Sequence, residues 1–306
     1  MILCCKCNQV ALPLVSPFSI HFFFPLFHFD EDFPMLRFPS LIAGSAPARS
    51  LRVAALVLLL LAAVASSTSA VAASVWTAEH GDIGVAYDPT DPTAFEMEVH
   101  VEQGGIVNGA AITNPAGQAY EPNTITIQVP ATANLGRINN PTAFWTGVAN
   151  TGYDFTSSAY NALGVPVGSN LWVLSPTGAD ADHYGTPFLG WATEEGFNGQ
   201  NFGNITFTPT SFSSPTGGTM AIYNGTTQEW VLSDGQTNFT GDSFSVSANG
   251  HTHRTVFFTE PGLYQVGIQA AGLNGGTSVS GSAVYSFQVV PEPSSLALGG
   301  SALRPL

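Results

Sequence analysis

Lysine is almost missing from this 306-residue chain: Lys6 is the only one, and between Ser74 and Val290 the sole cations are Arg137 and Arg254, set against 17 Asp and Glu. A field of that sign repels phosphate and attracts cations, which argues against nucleic acid as a partner and suits a soluble acidic domain. Cysteine is equally sparse. Cys4, Cys5 and Cys7 all fall in the first seven residues, so the remainder has no disulfide to support it and no thiol chemistry. Helical periodicity is nearly absent after residue 74, and so are the serine-hydrolase elbow Gly-x-Ser-x-Gly, a phosphate-cradling Gly-rich loop with lysine, and a His-Glu-x-x-His helix. Enzymes of those classes are not indicated, and the chain reads as non-enzymatic.

Both ends read as processing segments. An apolar run from Val53 to Ala65 follows Arg49 and Arg52 and precedes Ala70-Val71-Ala72. A basic flank, a short apolar stretch and a small-residue site describe a secretory signal peptide, here residues 35–73 opening at Met35. Residues 1–34, aromatic-rich and irregular, read as sequence upstream of the true start or as a disordered leader. One globular domain is left, residues 74–290, followed by a short tail at 291–306.

In that domain, segments rich in Thr, Val, Phe, Tyr and Ile recur between Gly, Pro, Asn and Asp. The pattern predicts an all-β fold, an antiparallel β-sandwich or jelly roll. Predicted strands run over residues 95–101, 123–129, 170–174, 203–212, 219–223, 229–233, 243–248, 252–258, 262–270 and 280–289, with a glycine hairpin turn at Gly272 to Thr277. Residues 131–169 are looser and read as a long loop or an insertion.

The clearest alternation is Phe95 to Glu102: Phe95, Met97, Val99 and Val101 face a core, while Glu96, Glu98, His100 and Glu102 face out on one shared surface. Two further pairs, His80-Gly81-Asp82 and His251-Thr252-His253, also place two ligand-type side chains on one face of extended backbone. Convergence of His80, Asp82, His100, His251 and His253 would create a site for a divalent metal, with imidazole favouring zinc, copper, iron or nickel over calcium and magnesium. The same alternation also describes ordinary outward-facing polar residues. Asp88 with Asp91 and Asp180 with Asp182 offer oxygen ligands for calcium but match no helical calcium loop, and solvated turns explain them as well. Glu194-Glu195 would serve a hydrolase only with a partner carboxylate across a cleft. Trp145, Trp172, Trp191 and Trp230 would stack on sugar rings if exposed and fill a core if not.

Two family resemblances follow. The stretch Val290-Pro291-Glu292-Pro293-Ser294-Ser295 resembles the sorting signal of PEP-CTERM exosortase substrates, with Pro291, Glu292 and Pro293 as the sorting motif. That signal continues into an apolar membrane helix and an arginine cluster, whereas here Leu296 to Leu306 are interrupted by Gly299-Gly300 and Pro305, with Arg304 alone. Eleven residues fall well short of the roughly twenty apolar residues that a span requires.

Three further segments resemble the choice-of-anchor M domain and the related actinobacterial surface-anchored repeats: His80-Gly81-Asp82-Ile83-Gly84; Leu171 to Pro176 with Leu189 to Glu195; and Gly250-His251-Thr252-His253-Arg254-Thr255-Val256-Phe257-Phe258-Thr259-Glu260-Pro261-Gly262-Leu263-Tyr264. Arg254-Thr255-Val256 departs from the family pattern after His-x-His. The resemblance spans roughly residues 76–270. It implies an exported β-rich protein of the cell surface, the outer membrane or the extracellular matrix, in transient contact with the membrane. Its implied partners are the export machinery, an exosortase, and a metal ion or a matrix polysaccharide.

Overall fold

In the computed structural model, residues 73–225, 229–232 and 242–292 are described. The leader, the signal peptide up to residue 72, Pro293 and the rest of the tail lie outside the described residues. Strands dominate, accompanied by helical turns at Ala131–Ala133, Ser158–Leu163 and Gly178–Tyr184. They form a twelve-stranded sheet, a four-stranded sheet and a two-stranded ribbon. Among the described residues, no helix is long and apolar enough to cross a membrane.

The two larger sheets share a core. Trp76, Ile83, Val99, Trp191, Phe207 and Phe287 of the large sheet pack in one cluster with Trp172, Met220, Ile222 and Phe258 of the small one. Full burial of an aliphatic or Phe side chain stabilises by about 1.5–3 kcal/mol, so this cluster is the main support of a domain without disulfides. Residues 131–169 are not a loose loop. Their Leu135, Tyr153, Phe155 and Leu163 join Leu171, Tyr223 and Phe257 in a second apolar cluster. Arg137 is buried there, donating to the carbonyls of Phe155 and Val165 and to Asn161 Oδ1.

The twelve-stranded sheet is mixed rather than wholly antiparallel, which corrects the sequence expectation, while the four-stranded sheet and the ribbon are antiparallel. The opening strand Ser74–Tyr87 runs parallel to Ile125–Val129 and to Pro187–Thr193, and Thr277–Val289 also runs parallel to Ile125–Val129. Long connections between these strands allow the crossovers that parallel pairing needs. The glycine hairpin is tight: Asn274 pairs with Thr277, and Gly275 and Gly276 both take positive φ (56° and 95°), as a two-residue turn of this hand requires.

Besides the short strands of two or three residues between Ile106 and Asp154, two long strands are absent from the sequence expectation, Ser74–Tyr87 and Pro187–Thr193. Residues 81–85 of the first form a continuous buried run, and the second is buried at all but Phe188; strand segments covered on both faces lose the apolar-polar alternation. A third difference concerns residues 252–258, expected as one strand. The chain changes sheets at Arg254: His251–His253 pairs with Pro187–Thr193, and Thr255–Phe258 pairs with Met220–Asn224 and Trp172–Leu174.

The opening strand is irregular midway: its pairing with Ile106–Val107 shifts register between Trp76 and Ala78, and Glu79 follows. Its φ of 68° is left-handed, unusual for a residue with a Cβ. Before it, the even-numbered Trp76 faces the core; after it, the odd-numbered Ile83, Val85 and Tyr87 do. This switch turns His80 and Asp82 onto the opposite face of the sheet.

Candidate metal centre

Four neighbouring strands carry the site: Phe95–Val101, Ser74–Tyr87, Pro187–Thr193 and His251–His253. Register aligns Asp82 with His100 on one side and Gly190 on the other, and Gly190 with His253. The next row contains Glu98, Gly84, Ala192 and His251. Residues directly opposite one another share a face, so imidazoles and carboxylates from separate strands meet. Two glycines hollow out the space. A Cβ on Gly190 would overlap Asp82 Oδ1 and lie 3.1 Å from His251 Cδ2, and one on Gly84 would lie 2.6 Å from Glu194 Cγ.

His80, His251 and His253 each offer a ring nitrogen within 4.8 Å of the others. Their outer nitrogens explain their orientation. His80 Nδ1 donates to Glu102 Oε2 at 2.8 Å, and His253 Nδ1 donates to the Leu189 carbonyl at 2.9 Å. Those bonds place the proton on Nδ1 and leave Nε2 with its lone pair, the arrangement by which metal-bound histidines are held. His253 Nε2 lies 2.6 Å from His251 Nε2; His80 Nε2 is buried without a hydrogen-bond partner, 3.8 Å from Asp82 Oδ1. Phe188 fixes the rings from below, stacking on His253 at 3.7 Å and meeting His80 at 5.0 Å.

Asp82 is only 3 % exposed, and its Oδ1 has no hydrogen-bond partner. Burial, then the Glu194 and Glu102 carboxylates, push its pKa up to about 8, with His100 opposing. Burial likewise holds His253 down to about 4 and lowers His251, which keeps both imidazoles neutral, the form that binds metal. Among the described residues, then, His80, His251 and His253 form a group able to hold a metal ion, and the buried Asp82 carboxylate stands beside it.

On the other side of Asp82, Glu98, His100 and Glu194 make a second group of ligand atoms within 4.8 Å of one another. Glu194 follows directly after its strand, its N–H donating to the Val85 carbonyl at 2.8 Å. Burial raises Glu194 to about 7. The Glu98 carboxylate is the main influence raising His100 to about 9, against burial. Their separation, 3.6 Å from Nδ1 to Oε1, is long for a hydrogen bond.

The five residues singled out from sequence therefore divide. His80, His251 and His253 come together, Asp82 joins His80 and Glu102 in an adjoining group, and His100 meets Glu98 and Glu194. Glu98, Glu102 and Glu194 were visible as carboxylates, but their roles depend on pairings that sequence does not print. Gly84 and Gly190, glycines inside strands, were the overlooked signal, because such glycines mark close approach of other groups. Of the sorting motif, Pro291 and Glu292 are exposed beyond the last strand.

The other candidates do not form sites. Asp180 is fully buried and is neither a calcium ligand nor a solvated turn: it accepts the N–H groups of Thr146 and Gly147 and the Ser175 hydroxyl. Asp88 caps its own turn through Thr90. Trp172 and Trp191 are core residues, while Trp145 and Trp230 pack against the second cluster. The chain matches no protein-family model, no curated protein and no solved structure. What the centre can do chemically follows from its own geometry.

Proposed function

We propose that this chain is an exported, non-enzymatic bacterial surface or extracellular-matrix protein whose β-sandwich binds a divalent transition metal, with zinc the reference ion. The observation that carries the reading is the convergence of three ring nitrogens: outward hydrogen bonds hold Nδ1 of His80 and of His253, His80 Nε2 is buried without a partner, and His253 Nε2 meets the ring nitrogen of His251. Three imidazoles with one carboxylate make a donor set that suits zinc, nickel or copper over calcium and magnesium. Export is supported by the basic-apolar-small pattern ahead of residue 74 and by the resemblance to sorted surface proteins. Burial of Trp172 and Trp191 favours metal over a polysaccharide that would need exposed rings to stack on.

Calorimetric titration of the chelator-stripped full chain with Zn²⁺ tests the metal role, with the His251→Ala/His253→Ala double variant as comparison. Tight binding that the double variant loses supports the reading. Binding unaffected by the two substitutions, or none by the parent chain, removes it.

A further inference from the structure

We infer that the same sheet face holds a second cation site, separate from the imidazole trio, formed by Glu98, His100 and Glu194 and suited to a harder divalent ion such as Mn²⁺. It goes beyond the metal role proposed above, since none of its three ligands belongs to the trio.

Three observations carry the inference. First, the donor atoms face inward without hydrogen-bond partners: Glu98 Oε1, His100 Nδ1 and Glu194 Oε1 are all buried and unsatisfied. Glu98 is only 8 % exposed. A buried carboxylate oxygen left unsatisfied is destabilising, and coordination of a cation removes that cost. Second, His100 is oriented as a ligand. Its Nε2–H donates to the Ala116 carbonyl at 3.0 Å, which turns Nδ1 toward the carboxylates. Two donors bound at about 2.1 Å to one ion sit about 3–3.5 Å apart, close to the 3.6 Å between His100 Nδ1 and Glu98 Oε1. Third, an entry path exists. A pocket of about 390 Å³ is lined by His100, Glu102, Ala116, Gly117 and Glu194, so hydrated ions reach the edge of the group from solvent.

The donor sets differ in kind. Two carboxylates with one imidazole lie on the oxygen-rich side of ligand preference, where Mn²⁺ is accepted, whereas the trio is nitrogen-rich. Neither Arg137, buried in the second cluster, nor Arg254, which lies over the Phe244 ring at 4.4 Å, is a ligand in either set.

The test is a Mn²⁺ titration of the chelator-stripped full chain followed by electron paramagnetic resonance, repeated with Zn²⁺ by calorimetry. Glu98→Gln/Glu194→Gln and His251→Ala/His253→Ala are run in parallel, with circular dichroism reporting the fold. Gly84→Ala is a second probe, since it crowds Glu194 while keeping every ligand. Expected are two ions per chain, with Mn²⁺ affinity at one site falling at least about tenfold in the glutamine variant and in Gly84→Ala, and that site surviving in the histidine variant. One ion in the parent chain, lost only with the histidines, overturns the second site and leaves the first. One ion lost only with the glutamates upholds the second site and removes the first. No ion in the parent overturns both.

Discussion

Gly190→Ala is the sharpest perturbation available, because it adds one methyl group and removes no ligand. No positive φ is recorded at Gly190, so the backbone accepts alanine. The new Cβ, however, would occupy the position of Asp82 Oδ1 and lie 3.1 Å from both Asp82 Cγ and His251 Cδ2. Since Cβ contacts below 3.0 Å do not occur, Oδ1 has to retreat by more than about 1 Å, several times the roughly 0.2 Å that a metal-ligand bond tolerates. The carboxylate is then lost from the imidazole site while all three histidines remain. Loss of a supporting group at a metal site costs about 10–100-fold in affinity, equivalent to about 1.4–2.7 kcal/mol. Crowding the buried Asp82 costs the fold about 1–3 kcal/mol, offset in part because alanine lowers the entropy of the unfolded chain. Competition between the full chain and a chromogenic zinc chelator measures the affinity, and melts in EDTA measure the fold. Wild-type affinity in a variant with an unchanged melt would refute the placement of Asp82 at the metal.

Three further outcomes are expected. In EDTA, the melting temperature falls between pH 6.5 and 9: Glu194, Asp82 and His100 hold protons up to about 7, 8 and 9, above their ordinary values, so the folded state binds more protons than the unfolded one and stability declines as they leave. His253, lowered to about 4, adds nothing to that window because it is neutral in both states above about 6.5; a flat or rising melting temperature in EDTA contradicts the argument. Phe188→Ala removes the ring stacked at 3.7 Å on His253, and zinc affinity by calorimetry drops about tenfold for a stability loss of about 1–2 kcal/mol by urea melts. Asp180→Ala strands the N–H groups of Thr146 and Gly147 in the interior, destabilises by at least about 3 kcal/mol in urea, and leaves ion stoichiometry unchanged.

Legibility in the sequence followed burial. In Phe95–Val101 the apolar residues alternate with Glu96, Glu98 and His100, so the pattern showed its bounds and the shared face of Glu98 and His100, but not that Glu98 on that face is itself buried. Residues 81–85 and Pro187–Thr193 are covered on both sides, carry no such alternation, and yet hold the centre of the site together. His80 and Asp82 were identifiable as a pair sharing a face, but which face depends on Glu79, whose left-handed backbone no residue pattern announces. The break at Arg254 was hidden for a related reason: residues 252–258 read as uninterrupted strand, while the chain needs a change of sheet to carry His251 and His253 to Gly190 and Ala192. Each histidine pair is thus delivered by a departure from regular strand geometry within one residue of it. Regular strands extended through those points would give a plainer sheet pairing, and they would take the imidazoles away from Asp82. The positive φ at Glu79 costs about 1–3 kcal/mol in local strain, and the interior it serves has its own unsatisfied atoms at His80, Asp82, Glu98, His100 and Glu194. Bound cations would satisfy those five groups together, whereas the unpaired indole and phenol groups of Trp172, Trp191 and Tyr285 in the aromatic core offer them no ligand.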